Sequence, residues 1–207
     1  LGFEKSMNEQ KIKARQAWSG SGDDSYNQDI LKALLDLPPT KFRGYDENTF
    51  ETKIDLIIKN NEIINNISEN EQVDIICNET IFYAESGGQI SDKGVIIGKN
   101  CKANMLNSKK ITIGNGKIIF VSTIEIVSGK ITVGDIIKQI IDLDFRKQIC
   151  SHHSATHLLH EALRQKLGLH VVQKGSLVNN AKLRFDFSHQ KPISSELIKE
   201  IEDEVNY

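Results

Sequence analysis

The feature that most constrains this chain is a series of short, isoleucine-rich runs beginning near Phe50: "KIDLIIKN", "EIINNI", "VDIICN", "GVIIG", "ITIGNGKIIFVSTIEI" and "ITVGDIIKQIIDLD". They alternate apolar and polar residues or stay apolar throughout, and Asn-Gly and Ser-Gly turns punctuate them. Residues i and i+2 of a strand share one face, so such runs suit strands that bury a face and turn back at each glycine. The expectation is a β-barrel or sandwich built from hairpins, with "IGNG" as one hairpin turn.

On either side the character changes. Residues 3 to 18, "FEKSMNEQKIKARQAW", are charged and helix-favouring and stop at "SGSGDD"; a second short helix, "NQDILKALLDL", ends before Pro38 and Pro39. Helix returns from about Arg146. Two strands follow in "HVVQKGSLV" and "KLRFDFSH", and a last helix starts near Ser194. Strands mixed with segregated helices make the class α+β.

The whole chain of 207 residues has 26 basic and 28 acidic residues, so bulk charge nominates neither nucleic acid nor membrane. Its distribution says more. Between Phe145 and Gln190 lie seven basic residues against two acids, together with all six histidines. A positive, imidazole-rich face suits a polyanion whose chemistry happens nearby. Three cysteines without repeating spacing argue against a disulfide framework and for a reducing, cytoplasmic setting. No apolar run reaches the roughly 18 residues of a membrane helix, so no membrane partner is expected. The first residue is Leu1 rather than Met, in what reads as the middle of a helix, which suggests a piece of a longer protein.

"HSATH", residues 153 to 157, puts two histidines four apart. At 100° per residue, Ala155, Leu158, Leu159, Ala162 and Leu163 fall between about 140° and 280° from His153, whereas His157, His160 and Arg164 cluster within about 40° of it. The histidines are therefore expected to face away from the helix's own apolar stripe. That leaves a solvated polar face or half of a metal site. Imidazoles at i and i+4 can converge on one ion, but a catalytic zinc needs at least three protein ligands. Cys150, near 60° on the same wheel, is a conceivable third. The pair lacks the Glu of H-E-x-x-H, and Ser151 and Ser154 adjoin histidines that a helix turns away from them, so neither a metalloprotease nor a serine nucleophile is indicated.

"FYAESGGQISDKG", Phe82 to Gly94, carries paired glycines. A tight turn is the first reading. Tyr83, Glu85, Ser86, Gln89 and Asp92 around bare backbone could also contact a ribose or a base.

Taken together, "FYAESGGQISDKG", "HSATHLLHEALRQKLGLHVVQKGSLV" and "LRFDFSH", in this order and spacing, closely resemble the alanyl-tRNA synthetases, and the resemblance runs over essentially the whole chain. H-x-x-x-H alone is shared with threonyl-tRNA synthetase and free-standing alanyl editing proteins. The upstream helical stretch, with "TKFRGYD", is similar to the full synthetase. The resemblance implies a helical tail and linker over 1–45, a β-barrel over 46–145 and the first part of an editing domain over 146–207. Such a domain hydrolyses serine or glycine wrongly attached to alanine tRNA. It implies zinc ligands at His153 and His157, candidate catalytic residues Gln173 and Thr156, and a pocket-side loop of Glu85, Ser86, Gly87, Gly88 and Gln89. Arg164, Lys174 and Arg184 are candidate phosphate contacts, which position rather than specify. The family's second pair of ligands, in a C-x-x-x-H motif further downstream, has no counterpart in this sequence, and neither has the domain that binds ATP and Mg. The expectation is a piece of alanine-tRNA ligase, from a parent taken to be a homo-oligomer, that holds an incomplete zinc site and is inactive alone. The alternatives are a noncatalytic tRNA-binding module and a free-standing editing hydrolase.

Overall fold

The computed structural model describes residues 26–207 apart from Asn115. The helix expected over residues 3 to 18 lies outside the described residues. Helix α1 spans Gln28–Asp36; the Asn27 side chain caps it by accepting from the Ile30 amide at 2.9 Å.

Strands β2 (Thr49–Lys59), β5 (Gln72–Cys77), β7 (Gly94–Gly98), β8 (Cys101–Ile113), β9 (Lys117–Thr132) and β10 (Ile136–Ile141) form the barrel. Their order is β2-β5-β9-β8-β7-β10, and antiparallel pairing of β10 with β2, from Ile136 opposite Lys53 to Ile140 opposite Thr49, closes the ring. Closure leaves the six strands without a free edge. Short strands decorate it: β1 (Lys41–Phe42) pairs with β6 (Glu79–Thr80), β3 (Glu62–Ile64) with β2, and β4 (Asn66–Ser68) with β9. Between β2 and β3 the two-residue turn Asn60-Asn61 has φ of 51° and 61°, the left-handed pair that a type I′ hairpin needs. Gly114 and Gly116, with φ of 54° and 90°, flank the β8–β9 turn, where Ile113 faces Lys117.

The runs of isoleucine fill two cores. Inside the ring lie Ile54, Ile57, Ile75, Ile96, Ile124, Ile126 and Ile137, all at most 1% exposed, with Phe82 and Met105. Outside it, Leu56, Ile58, Ile76, Ile119 and Val121 pack under Ile30 and Leu34 of α1. Ile54 and Ile57 are three apart yet both point inward. The β2–β5 register shifts between Ile54 and Leu56, and such a bulge exchanges the two faces of the strand.

Helix α2, Leu143–Leu167, follows the ring directly. It starts three residues before Arg146 because the Asp142 side chain accepts from the Phe145 amide at 3.0 Å. Strands β11 (Gln173–Val178) and β12 (Leu183–Phe187) make an antiparallel hairpin, and helix α3 (Ser195–Asn206) is capped by the Ser194 side chain. Ala162, Leu163, Val171 and Ile201 are the buried centre of this unit. The α2 stripe needs one correction: Leu158 is 55% exposed, because the neighbours of α2 cover Leu159, Ala162 and Leu163 instead. Among the described residues no helix is long and apolar enough to cross a membrane.

Candidate functional site

The glycine loop is rooted in a buried ion pair. Asp92, 2% exposed, accepts from the Tyr83 amide at 2.6 Å and from Arg146 Nε at 3.1 Å. A terminal nitrogen of Arg146 also bonds Asp92 and reaches the Ile81 carbonyl at 2.9 Å; the other reaches the Gly44 carbonyl at 2.6 Å. A single side chain from the first turns of α2 thus grips three stretches of the barrel. Asp92, one of the residues set against a ribose or base, is instead a structural partner. Tyr83 lies half-buried beside it, and burial, then Tyr45 and Asp92, pushes its phenol above the ordinary value.

At the tip, Gly87 and Gly88 have φ of 62° and 84°, the two left-handed positions of a type I′ turn. Ser86 and Gln89 exchange backbone hydrogen bonds at 3.1 and 3.0 Å across it. The turn is docked on β11: the Val178 amide donates to the Gly88 carbonyl at 2.7 Å, and the Ile90 amide to the Val178 carbonyl at 3.1 Å. A Cβ on Gly88 would meet the Ser176 carbonyl oxygen at 2.4 Å, so only glycine allows this approach.

Across from the turn, α2 presents its histidines. His153 and His157 are exposed, with ring centroids 5.1 Å apart, and His153 Nδ1 lies 2.6 Å from Gln89 Oε1. His152 Nδ1 donates to the Asn179 carbonyl at 2.6 Å, tying α2 to the β11–β12 connection. The wheel expected His160 and Arg164 on the wet face with the pair. The structure half-buries both; the His160 ring lies 5.0 Å from that of Phe185, on the hairpin that covers this part of the helix. Among the described residues, His160 Nε2 and Arg164 Nε are buried without a hydrogen-bond partner.

A cavity of about 110 Å³ opens here, lined by Gly87, His153, Thr156, His157, His160, Gln173, Ser176, Val178 and Phe185. Three stretches distant in sequence meet in it. Both candidate metal ligands and both candidate catalytic residues, Thr156 and Gln173, are among its lining. Thr156, 8% exposed, donates to the His152 carbonyl at 2.8 Å, which leaves its oxygen lone pairs to accept from a ligand. Of the loop candidates Gly87 reaches the cavity wall, Gln89 hydrogen-bonds His153, and the Glu85 side chain is exposed beyond the barrel bond from its amide to Ser108. Ser86 and Gly88 shape the turn. Lys174 is exposed on β11, and Arg184 pairs with Asp186 at 3.1 Å. Sequence reasoning missed His160, Ser176 and Phe185 as lining; the "QKGS" motif that singled out Gln173 contained the signal for Ser176.

The donor set fits part of a zinc site. Two imidazoles lie within reach of one ion held at about 2.0 to 2.1 Å, and one of them has its second nitrogen hydrogen-bonded, as metal-bound histidines do. Cys150 is an exposed free thiol, and among the described residues no group of three or more histidine, cysteine or acidic side chains could hold a metal.

Comparison with known proteins agrees with the resemblance. The sequence is 43% identical over 206 residues to the alanine–tRNA ligase of Rickettsia canadensis, 40% over 204 to that of Clostridioides difficile and 39% over 205 to that of a Chelativorans species. Each alignment takes in 99% of this chain and 23% of the relative, so the chain spans about a quarter of the length of the relatives it matches. The model of the family "tRNA synthetases class II (A)" matches residues 1–145, from the first residue to the opening turn of α2. With well over half its length matched, the chain belongs to the class II (A) tRNA synthetases.

Proposed function

We propose that this chain works as part of an alanine–tRNA ligase, and that its cavity is the amino-acid side of a site that removes serine or glycine from mischarged alanine tRNA. The observation that carries the reading is the convergence of His153, Thr156, His157 and Gln173 on one small cavity. Its volume of about 110 Å³ leaves room for the aminoacyl end of a small amino acid. In the reaction a water oxygen attacks the ester carbonyl carbon, the bond to the ribose oxygen breaks, and that oxygen takes up a proton. The amino acid and intact tRNA are released.

His153 and His157 would hold a zinc ion, which when bound polarises a water or the ester carbonyl. Thr156 Oγ1 accepts a hydrogen bond from the amino-acid end, and Gln173 borders it from β11. The bare backbone of Gly87 lets the acceptor end come close. Lys174 meets tRNA phosphate. Joining of alanine to tRNA with ATP and Mg is the work of other residues of the ligase, and a reducing cytoplasm suits the exposed Cys150 thiol.

The test grafts this chain into the Rickettsia canadensis ligase in place of its matching segment and measures serine release from seryl-tRNA(Ala). Deacylation should fall about 100-fold or more with His157→Ala while alanine charging persists. The isolated chain, with two ligands, should release none. A graft that charges alanine but never deacylates, or one indifferent to His157→Ala, overturns the reading.

A further inference from the structure

We propose that Gln89 is a positioning residue for His153: its side-chain carbonyl holds the proton on Nδ1 and so presents Nε2 as the lone-pair nitrogen for a divalent metal. The role rests on the metal-dependent reading above, but the hydrogen bond beneath it does not. Gln89 Oε1 lies 2.6 Å from His153 Nδ1, and a carbonyl oxygen has no hydrogen to donate. With the amide oxygen facing the ring, the shared proton is the ring's. In a neutral imidazole one nitrogen donates and the other accepts, so Nε2 is left as the ligand atom. Free histidine in water prefers the opposite tautomer, with the proton on Nε2, so the contact reverses an intrinsic preference.

The backbone around Gln89 is held well enough to impose that choice. Gln89 closes the type I′ turn through its bonds with Ser86, and the bonds of Gly88 and Ile90 to Val178 pin it on both sides to β11. At the loop's root, Asp92 is clamped to Arg146 of the helix that carries His153. The side chain comes from 64 residues away, so a residue on the barrel governs an imidazole on the following unit. His157 has no such hydrogen bond among the described residues.

Nitrogen-15 NMR of histidine-labelled, metal-free chain at pH about 8 reads the tautomer directly. In the wild type His153 should be protonated at Nδ1. Gln89→Met should shift it toward the Nε2-protonated form, and Gln89→Glu should restore the original. Zinc titration of the chain grafted into the Rickettsia canadensis ligase should then show affinity about 10- to 100-fold weaker in Gln89→Met and recovered in Gln89→Glu. Unchanged thermal melting of the three proteins excludes a folding defect. A wild-type His153 protonated at Nε2, or a tautomer indifferent to Gln89→Met, overturns the proposal, as does zinc affinity equal in wild type and Gln89→Met. A correct tautomer in a graft into the Rickettsia canadensis ligase that takes up no zinc at this site instead overturns the metal reading and leaves Gln89's hold on His153 standing.

Discussion

The barrel and the unit that follows it are built on opposite terms. In the barrel, six strands close on themselves and their isoleucines reach zero exposure on both sides of the sheet. After Leu143 the chain makes a two-stranded hairpin and two helices around four buried residues, and it leaves Leu158, Leu169 and Ile198 more than half exposed. Between α2 and α3 runs an apolar groove bordered by Ala155, Leu159, Leu183, Ile198, Ile201 and Val205. The histidines sit on the weaker unit, yet the loop that orients one of them belongs to the stronger. Placement of the site therefore depends on the joint between the two, and that joint can be attacked directly.

Arg146→Ala should have the largest effect. It strips a carboxylate that is 3% exposed of its partner, and breaking such a pair costs about 3 to 5 kcal/mol. Chemical denaturation should show the loss, and the Gln89 to His153 contact should loosen with it. A loss below about 1 kcal/mol would mean that the hydrogen bonds from β11 to the loop, not this clasp, hold the units together.

Next in size is a pair of core truncations that sharpen the contrast. Ile124→Ala, inside the ring at zero exposure, should cost about 2 to 5 kcal/mol in global stability. Ile201→Ala, 5% exposed on a helix that faces an open groove, should cost less, and native-state hydrogen exchange should show it confined to α3 and its neighbours. Equal losses spread over all amides would show the two units to be one cooperative body.

How much of this was legible in the sequence follows the same division. A period of two with glycine turns marks strands whatever surrounds them, so the barrel could be read locally. Its closure through β10 and β2 and the bulge after Ile54 could not, because pairing partners leave no trace in either strand alone. At the site, His153, Thr156, His157 and Gln173 were readable as members of motifs. The Gln89 to His153 and Asp92 to Arg146 contacts span 64 and 54 residues and have no local pattern. Helical periodicity gives the direction of a side chain but not what lies opposite. It therefore left His160 wet and Leu158 buried, where the hairpin covers the first and nothing covers the second.

The smallest expected effect tests whether every ionisable group perturbed by burial here signals function. Asp74 of β5 accepts from Thr123 Oγ1 at 2.6 Å and Tyr26 Oη at 3.5 Å, far from the histidines in the fold's strand order. Burial raises its pKa above 3.8, with the Thr123 and Tyr26 bonds pulling the other way. A raised carboxyl pKa means that the fold prefers the protonated form. Its contribution to stability is complete below 3.8 and is lost as pH rises through the raised folded value. Asp74→Asn keeps an acceptor for Thr123 and cannot ionise. It should slightly stabilise the chain at neutral pH and remove that part of the pH dependence, read as urea midpoints at pH about 3.5 and 7. If the variant instead loses stability at neutral pH, the ionised carboxylate is a favourable partner of Thr123 and Tyr26, and the barrel handles charge as the joint does at Asp92.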